Sequence, residues 1–334
     1  MKEKERLLKV LKGENVDRPP IICPGGMMNG AITNLLEDIN KNHNSDLKTM
    51  ILIAKRVHDL AGFENYGVPF CMTVESEPFG VKVHLGNKNT EPRVLQYNEN
   101  DLEDIIENYH INPLKDGRMP VVLKAISELK NDNIPVIGNI TGPMSTATSI
   151  VDPIKFIKLL KKNPQLAYKF VNYINDYSIE YIEEMIKAGA DVIVLADPTA
   201  TGEILGKKNF DEFIFPMYKK IIERVHQLNI PIIIHICGDV NPIIESLNKL
   251  NVDGLSFDSK VNMRFVRNNL STNIMGNVST QLLHQGSKEK IIDITKNCIN
   301  SGVNIVSPAC GLSMDTPVEN LKFITDFVKG YSNG

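Results

Sequence analysis

The chain is predicted to fold as a (β/α)₈ barrel. Three observations carry that prediction. Eight short apolar, β-branched runs recur along its 334 residues, most are followed by a segment with helical periodicity, and no Pro/Gly/Ser linker divides the whole. A doubly wound open sheet is the alternative, but no Gly-x-Gly-x-x-Gly follows any of the runs.

The elements follow in order. Residues 1–18 read as a helical extension, with a helix over Lys4–Lys12 that stops at Gly13. Strand-like runs are Pro20–Cys23, Gly67–Val74, Pro135–Ile140, Asp191–Ala196, Pro231–Cys237, Asp253–Phe257, Asn273–Val278 and Asn304–Ser307. Helical periodicity marks Asp152–Leu160, Phe210–Leu228 and Pro317–Lys329. The segment Asn163–Ala188 is long enough to be two helices meeting near Asn172–Asn175. After the second run, Gly80–Val94 contains Val-Lys-Val-His-Leu-Gly and reads as a small hairpin insertion. Residues 1–334 are read as one domain.

Composition excludes several classes of function. With 42% hydrophobic and 23% charged residues the chain buries a full-sized core. A net charge of −3 and a pI near 6.2 give no global basic field, which argues against nucleic acid as a partner. No uncharged apolar run approaches ~18 residues, the length expected of a membrane span. The first ten residues mix both signs of charge and lack the apolar stretch of a signal peptide. Five widely spaced cysteines do not make a disulfide framework, and a reducing cytoplasm is the expected compartment.

In a barrel of this kind functional groups collect where strands end. The polar residues at those ends are Glu75, Glu77, Asn139, Thr141, Asp197, His235, Cys237, Asp258, Asn277 and Cys310. Three form a metal-ligand set. In Ile-Ile-Ile-His-Ile-Cys-Gly, His235 and Cys237 share one face of a strand, and Cys310 ends another run seventy-three positions later. One imidazole and two thiolates suit zinc and leave its fourth position open, as a catalytic site requires. Two thiolates make zinc a weak Lewis acid, better suited to holding a substrate thiol as thiolate than to generating hydroxide. Methyl transfer is a natural use of such a sulfur. A hydrolytic zinc motif, His-Glu-x-x-His, is absent.

The sequence also resembles a known family. The matching stretches are Val-Asp-Arg-Pro-Pro (16–20), Pro-Phe-Cys-Met-Thr-Val (69–74) and Gly-Arg-Met-Pro-Val-Val-Leu (117–123). They continue with Ala-Gly-Ala-Asp-Val-Ile-Val-Leu-Ala-Asp-Pro (188–198) and His-Ile-Cys-Gly-Asp-Val-Asn-Pro-Ile (235–243). Gly-Asn-Val-Ser (276–279), Pro-Ala-Cys-Gly (308–311) and Thr-Pro-Val-Glu-Asn (316–320) complete the set. Together they resemble the zinc-containing, cobamide-dependent methyltransferase branch of the uroporphyrinogen decarboxylase superfamily, which includes the methylcobamide:coenzyme M methyltransferases. The resemblance implies a barrel whose zinc is held by His235, Cys237 and Cys310. It further implies a mouth that docks a separate corrinoid protein, and a methyl group moving between cobalt and a thiol such as coenzyme M. The decarboxylase branch would call for arginines in the first loop and an aspartate at the end of the second strand. Here that loop is Cys-Pro-Gly-Gly-Met-Met-Asn-Gly (23–30) and Cys71 stands in the aspartate's place. A Gln-Thr-Gly-like first loop expected of the coenzyme M enzymes is also missing, so tetrahydrofolate as acceptor, or a methylated compound as donor, is the alternative chemistry. A non-catalytic subunit that positions a corrinoid protein is a further alternative.

Other candidates surround the ligand set. Glu77, and after it Glu75, could serve as a fourth ligand or as the base for the thiol proton. Asp197 could orient the ring of His235, the usual role of a carboxylate behind a metal-bound imidazole, or begin the next turn. Met27 and Met28 could line an apolar contact with the corrin or fill space below the rim. Asn277 is a further candidate on the cofactor side.

Overall fold

The computed structural model describes residues 1–28, 42–87 and 90–331. Its strands, in chain order, are β1 (Tyr66–Val68), β2 (Lys82–His84), β3 (Arg93–Gln96), β4 (Val136–Thr141) and β5 (Val192–Ala196). They continue with β6 (Ile232–Ile236), β7 (Gly254–Phe257), β8 (Asn273–Val278) and β9 (Ile305–Pro308). β1 and β4 to β9 pair in parallel in the order β1-β4-β5-β6-β7-β8-β9. The segment around Ile21 supplies the eighth stave. Val306 N donates to Pro20 O at 2.9 Å, Ile22 N donates to Val306 O at 3.0 Å, and Glu64 N donates to Ile21 O at 2.8 Å. The architecture is a (β/α)₈ barrel, and β2 pairs with β3 in a separate antiparallel hairpin after the second stave.

The staves are mostly apolar because both of their faces are covered, with polar residues such as Asn139, Thr141 and His235 toward their carboxyl ends. All five residues of β6 and all six of β4 are buried. The expected second strand is shorter than its apolar run. Pro69 has no N–H to give the ladder, so pairing stops at Val68 and residues 69–76 leave the sheet, bringing Cys71, Met72 and Glu75 to the barrel mouth. The helix Pro164–Ala188 runs unbroken for 25 residues, without the division expected near Asn172–Asn175. Asn163 caps its first turn through Leu166 N, Asn172 bonds Asp176 one turn on, and Gly189 ends it at φ 115°. Among the described residues no helix is long and apolar enough to cross a membrane.

Candidate metal centre

β6 and β9 build the centre. His235 is the penultimate residue of β6, Cys237 follows the last, and Cys310 lies two residues beyond β9. Gly238, at φ 70°, turns the chain away directly after Cys237, and its N–H is held by Asp258 Oδ2 at 3.3 Å. The loop bearing Cys310 is pinned to the opposite side of the mouth, where Leu312 N donates to Met27 O at 2.8 Å. Gly25 begins that side. A Cβ there would meet Pro69 O at 2.4 Å and Asn139 Nδ2 at 2.7 Å, so only glycine lets the turn approach the sheet.

The three donor atoms converge, all within 4.8 Å of one another. His235 Nε2 lies 3.2 Å from Cys237 Sγ, which lies 3.3 Å from Cys310 Sγ. Thiolates ~2.3 Å from a tetrahedral zinc ion sit roughly 3.8 Å apart. The two sulfurs therefore need to part by only about half an ångström to grip an ion, and the donor chemistry of the trio fits zinc. The two thiols share a proton. The hydrogen bond with Cys237 draws Cys310 down to about 4, and the same bond pushes Cys237 up. His235 is buried, and its Nδ1 is paired with Ser256 Oγ at 3.0 Å, directly across the β6–β7 register. With Nδ1–H donating to that hydroxyl, the Nε2 lone pair is the one turned toward the cysteines.

The trio opens into a cavity of about 140 Å³. Met27, Met72, Ile140, Val194, Ala196 and Pro198 give it apolar walls. Its polar lining is Cys71, Glu75, Asn139 and Thr141. Glu75 is buried and accepts from Thr141 N at 2.9 Å and Thr141 Oγ1 at 2.8 Å. Burial raises its pKa, against the lowering effect of those bonds.

Several expected site residues lie elsewhere. Glu77 is turned from the cavity to Arg118, whose Nε donates to its Oε2 at 2.9 Å; Glu75, two residues earlier, takes the position at the cavity. Asp197 does not reach the His235 ring. Its carboxylate is fully buried behind the mouth, accepting from Met144 N, Ser145 N, Ser145 Oγ and Tyr218 Oη, while burial pushes its pKa up to about 6. Ser256 makes the contact expected of Asp197. Asn277 faces away as well. Its Nδ2 donates to Asp258 O and Val261 O, both at 2.9 Å, on the far side of β8. Met27 lines the cavity; the side chain of Met28 lies outside the described residues. Ser256 escaped sequence reading, although a lone polar residue inside the run Gly-Leu-Ser-Phe was the available signal.

The chain is similar to known proteins over nearly its whole length. A methylcobamide:CoM methyltransferase of Methanosarcina acetivorans is 29% identical over 335 residues, covering 98% of both chains. A methylated-thiol–coenzyme M methyltransferase of Methanosarcina mazei is 28% identical, over 95% of this chain and 86% of the relative. A solved methyltransferase from Methanosarcina mazei superposes with a TM-score of 0.90 at 29% identity, over 98% of each chain. The model of the uroporphyrinogen decarboxylase (URO-D) family matches residues 2–331, from the first helix to the last, and the chain belongs to that family.

Proposed function

We propose that this protein is a methyltransferase that moves a methyl group between the cobalt of a corrinoid, carried by a partner protein, and a small thiol such as coenzyme M. The observation that carries the reading is the convergence of His235 Nε2, Cys237 Sγ and Cys310 Sγ within 4.8 Å at the edge of an apolar cavity. Zinc held by these three residues would supply a soft Lewis acid with one position free for a substrate sulfur.

The chain's own residues account for the rest. His235 is held in the ligating tautomer by Ser256. Met27, Met72, Ile140 and Val194 exclude water, which strengthens the electrostatics of the site and exposes the sulfur for attack. Glu75 faces the same space and takes the proton the thiol gives up, at the Oε atoms that Thr141 keeps in place. Holding the thiol and the methyl donor side by side at this mouth would supply much of the rate. A cavity of about 140 Å³ suits a thiol of a few heavy atoms and is far below the ~300 Å³ at which sites for drug-sized ligands begin, which disfavours tetrahydrofolate. The free cysteines suit a cytoplasmic location.

Purified protein is assayed with methylcobalamin and a panel of thiols and tetrahydrofolate, following the change in corrinoid absorbance. Demethylation with a small thiol, dependent on one equivalent of zinc, is expected. Demethylation with the folate alone, or with metal-free protein, contradicts the proposal.

A further inference from the structure

Cys71 is a buried nucleophile that the methyl-transfer reading leaves without a task. Its side chain is 4% exposed and lines the cavity that holds the His235, Cys237 and Cys310 donors, without belonging to that group. Two donors converge on its sulfur. Arg118 Nη1 donates at 3.3 Å and Thr73 Oγ1 at 3.4 Å. Thr73 Oγ1 itself accepts from Arg118 Nη2 at 2.8 Å, which leaves its own proton for the sulfur. The guanidinium is buried, and its remaining bonds go to Glu77 Oε2 and Asn44 O. Burial works against the charge of Arg118, yet its pKa is raised, because Cys71 and Glu77 more than offset that cost.

Among the described residues, no titratable group besides Cys71 and Glu77 makes a hydrogen bond to the guanidinium, although Glu75 feels its charge. Glu75 is held by Thr141, and burial drives His43 down to about 4, leaving it neutral. The Tyr177 hydroxyl is engaged with Glu75 O and Met119 Sδ. The Tyr181 hydroxyl is buried without a hydrogen-bond partner and feels the charges of Glu75, Cys71 and Arg118. His235, Cys237 and Cys310 line the same cavity and satisfy one another. Elsewhere burial alone pushes the Cys23 thiol well up, and burial raises Cys298. Cys71 differs from both in having a cation and a hydroxyl aimed at it, the environment that makes a thiol reactive.

We propose that Cys71 is a second, metal-free nucleophile of this cavity, a sulfur paired with Arg118 and Thr73 that is alkylated by small soft electrophiles entering through the mouth. In the step the Sγ–C bond forms as the bond from carbon to the leaving group breaks. The leaving group departs with the electron pair, and the thiol proton is released to solvent as the thioether forms.

The test treats the zinc-loaded protein with iodoacetamide from pH 5 to pH 10 and reads labelling peptide by peptide by mass spectrometry. At neutral pH Cys71 is expected to label at least ~10-fold faster than Cys23 or Cys298. Thr73→Val, which keeps the shape and removes one donor, is expected to slow labelling of Cys71 while leaving Cys23 and Cys298 unchanged. A Cys71 rate no greater than that of Cys23, or a rate unchanged in T73V, overturns the proposal. Labelling needs no corrinoid and no turnover, so this result and the methyl-transfer assay stand or fall separately.

Discussion

The two ends of the barrel use polar residues in opposite ways. At the amino end Glu64, 1% exposed, accepts from Arg6, from both terminal nitrogens of Arg18 and from Ile21 N. Arg6 is shared with Asp17 at 2.7 and 2.8 Å, and that hydrogen bond holds the Asp17 carboxyl far below the usual carboxylate range. Every charge there is answered. At the carboxyl end two thiols share one proton, the imidazole leans on a neutral hydroxyl, and Glu75 sits where burial raises its pKa. The amino end uses up its bonding capacity within the fold and holds the N-terminal segment against the barrel. The carboxyl end keeps donor capacity for something that is not protein.

That contrast separates metal binding from stability, and substitutions at the two ends test the separation. The largest effect is expected from Cys237→Ser or Cys310→Ser. Zinc content should fall from about one per chain to near zero, and methyl transfer with it, while the urea midpoint of the metal-free protein stays where it was. Glu64→Gln should do the reverse. It leaves the partly buried Arg18 without its carboxylate and buried Arg6 with Asp17 alone, and should lower stability by ~3–5 kcal/mol, the cost of breaking a buried pair, with zinc per folded chain unchanged.

Asp197 gives a pH signature. Its folded pKa, about 6, lies above the ordinary 3.8, so the fold favours its protonated form. Its contribution is fully present below about pH 4, declines as pH rises through 6 and is flat beyond, a change on the order of 3 kcal/mol. Denaturation measured between pH 4 and 7 should show this component in the wild type and lose it in Asp197→Asn. The smallest effect belongs to Ser256→Ala, which frees the Nδ1 side of His235. Zinc affinity, measured by competition with a chelator, should weaken by ~10–100-fold with little change in stability. Loss of stability without loss of affinity would make Ser256 a packing residue.

Much of the barrel was legible because its staves are buried on both faces and therefore read as mostly apolar runs, each bounded by a turn or a helix. The ligand trio was legible for a related reason, since His235 and Cys237 at i and i+2 must share a face wherever a strand forms. What stayed hidden was set by direction and partnership. Nothing in Val-Glu-Ser-Glu-Pro says that Glu75 turns to Thr141 and the cavity while Glu77 turns to Arg118, because the chain has left the sheet at Pro69 and strand alternation no longer applies. Ser256 takes the role expected of Asp197 because a side chain on the neighbouring strand, in register with His235, reaches the ring. The carboxylate after β5 is instead captured by the amides of the helix Pro143–Ile150.

X-ray absorption at the zinc edge, with and without a small thiol, addresses the open coordination position most directly. Two sulfurs, one imidazole nitrogen and one light atom are expected around the ion in the resting protein, with a third sulfur replacing the light atom when the thiol is added. A shell that does not change on adding thiol, or an ion bound away from Cys237 and Cys310, would contradict the account.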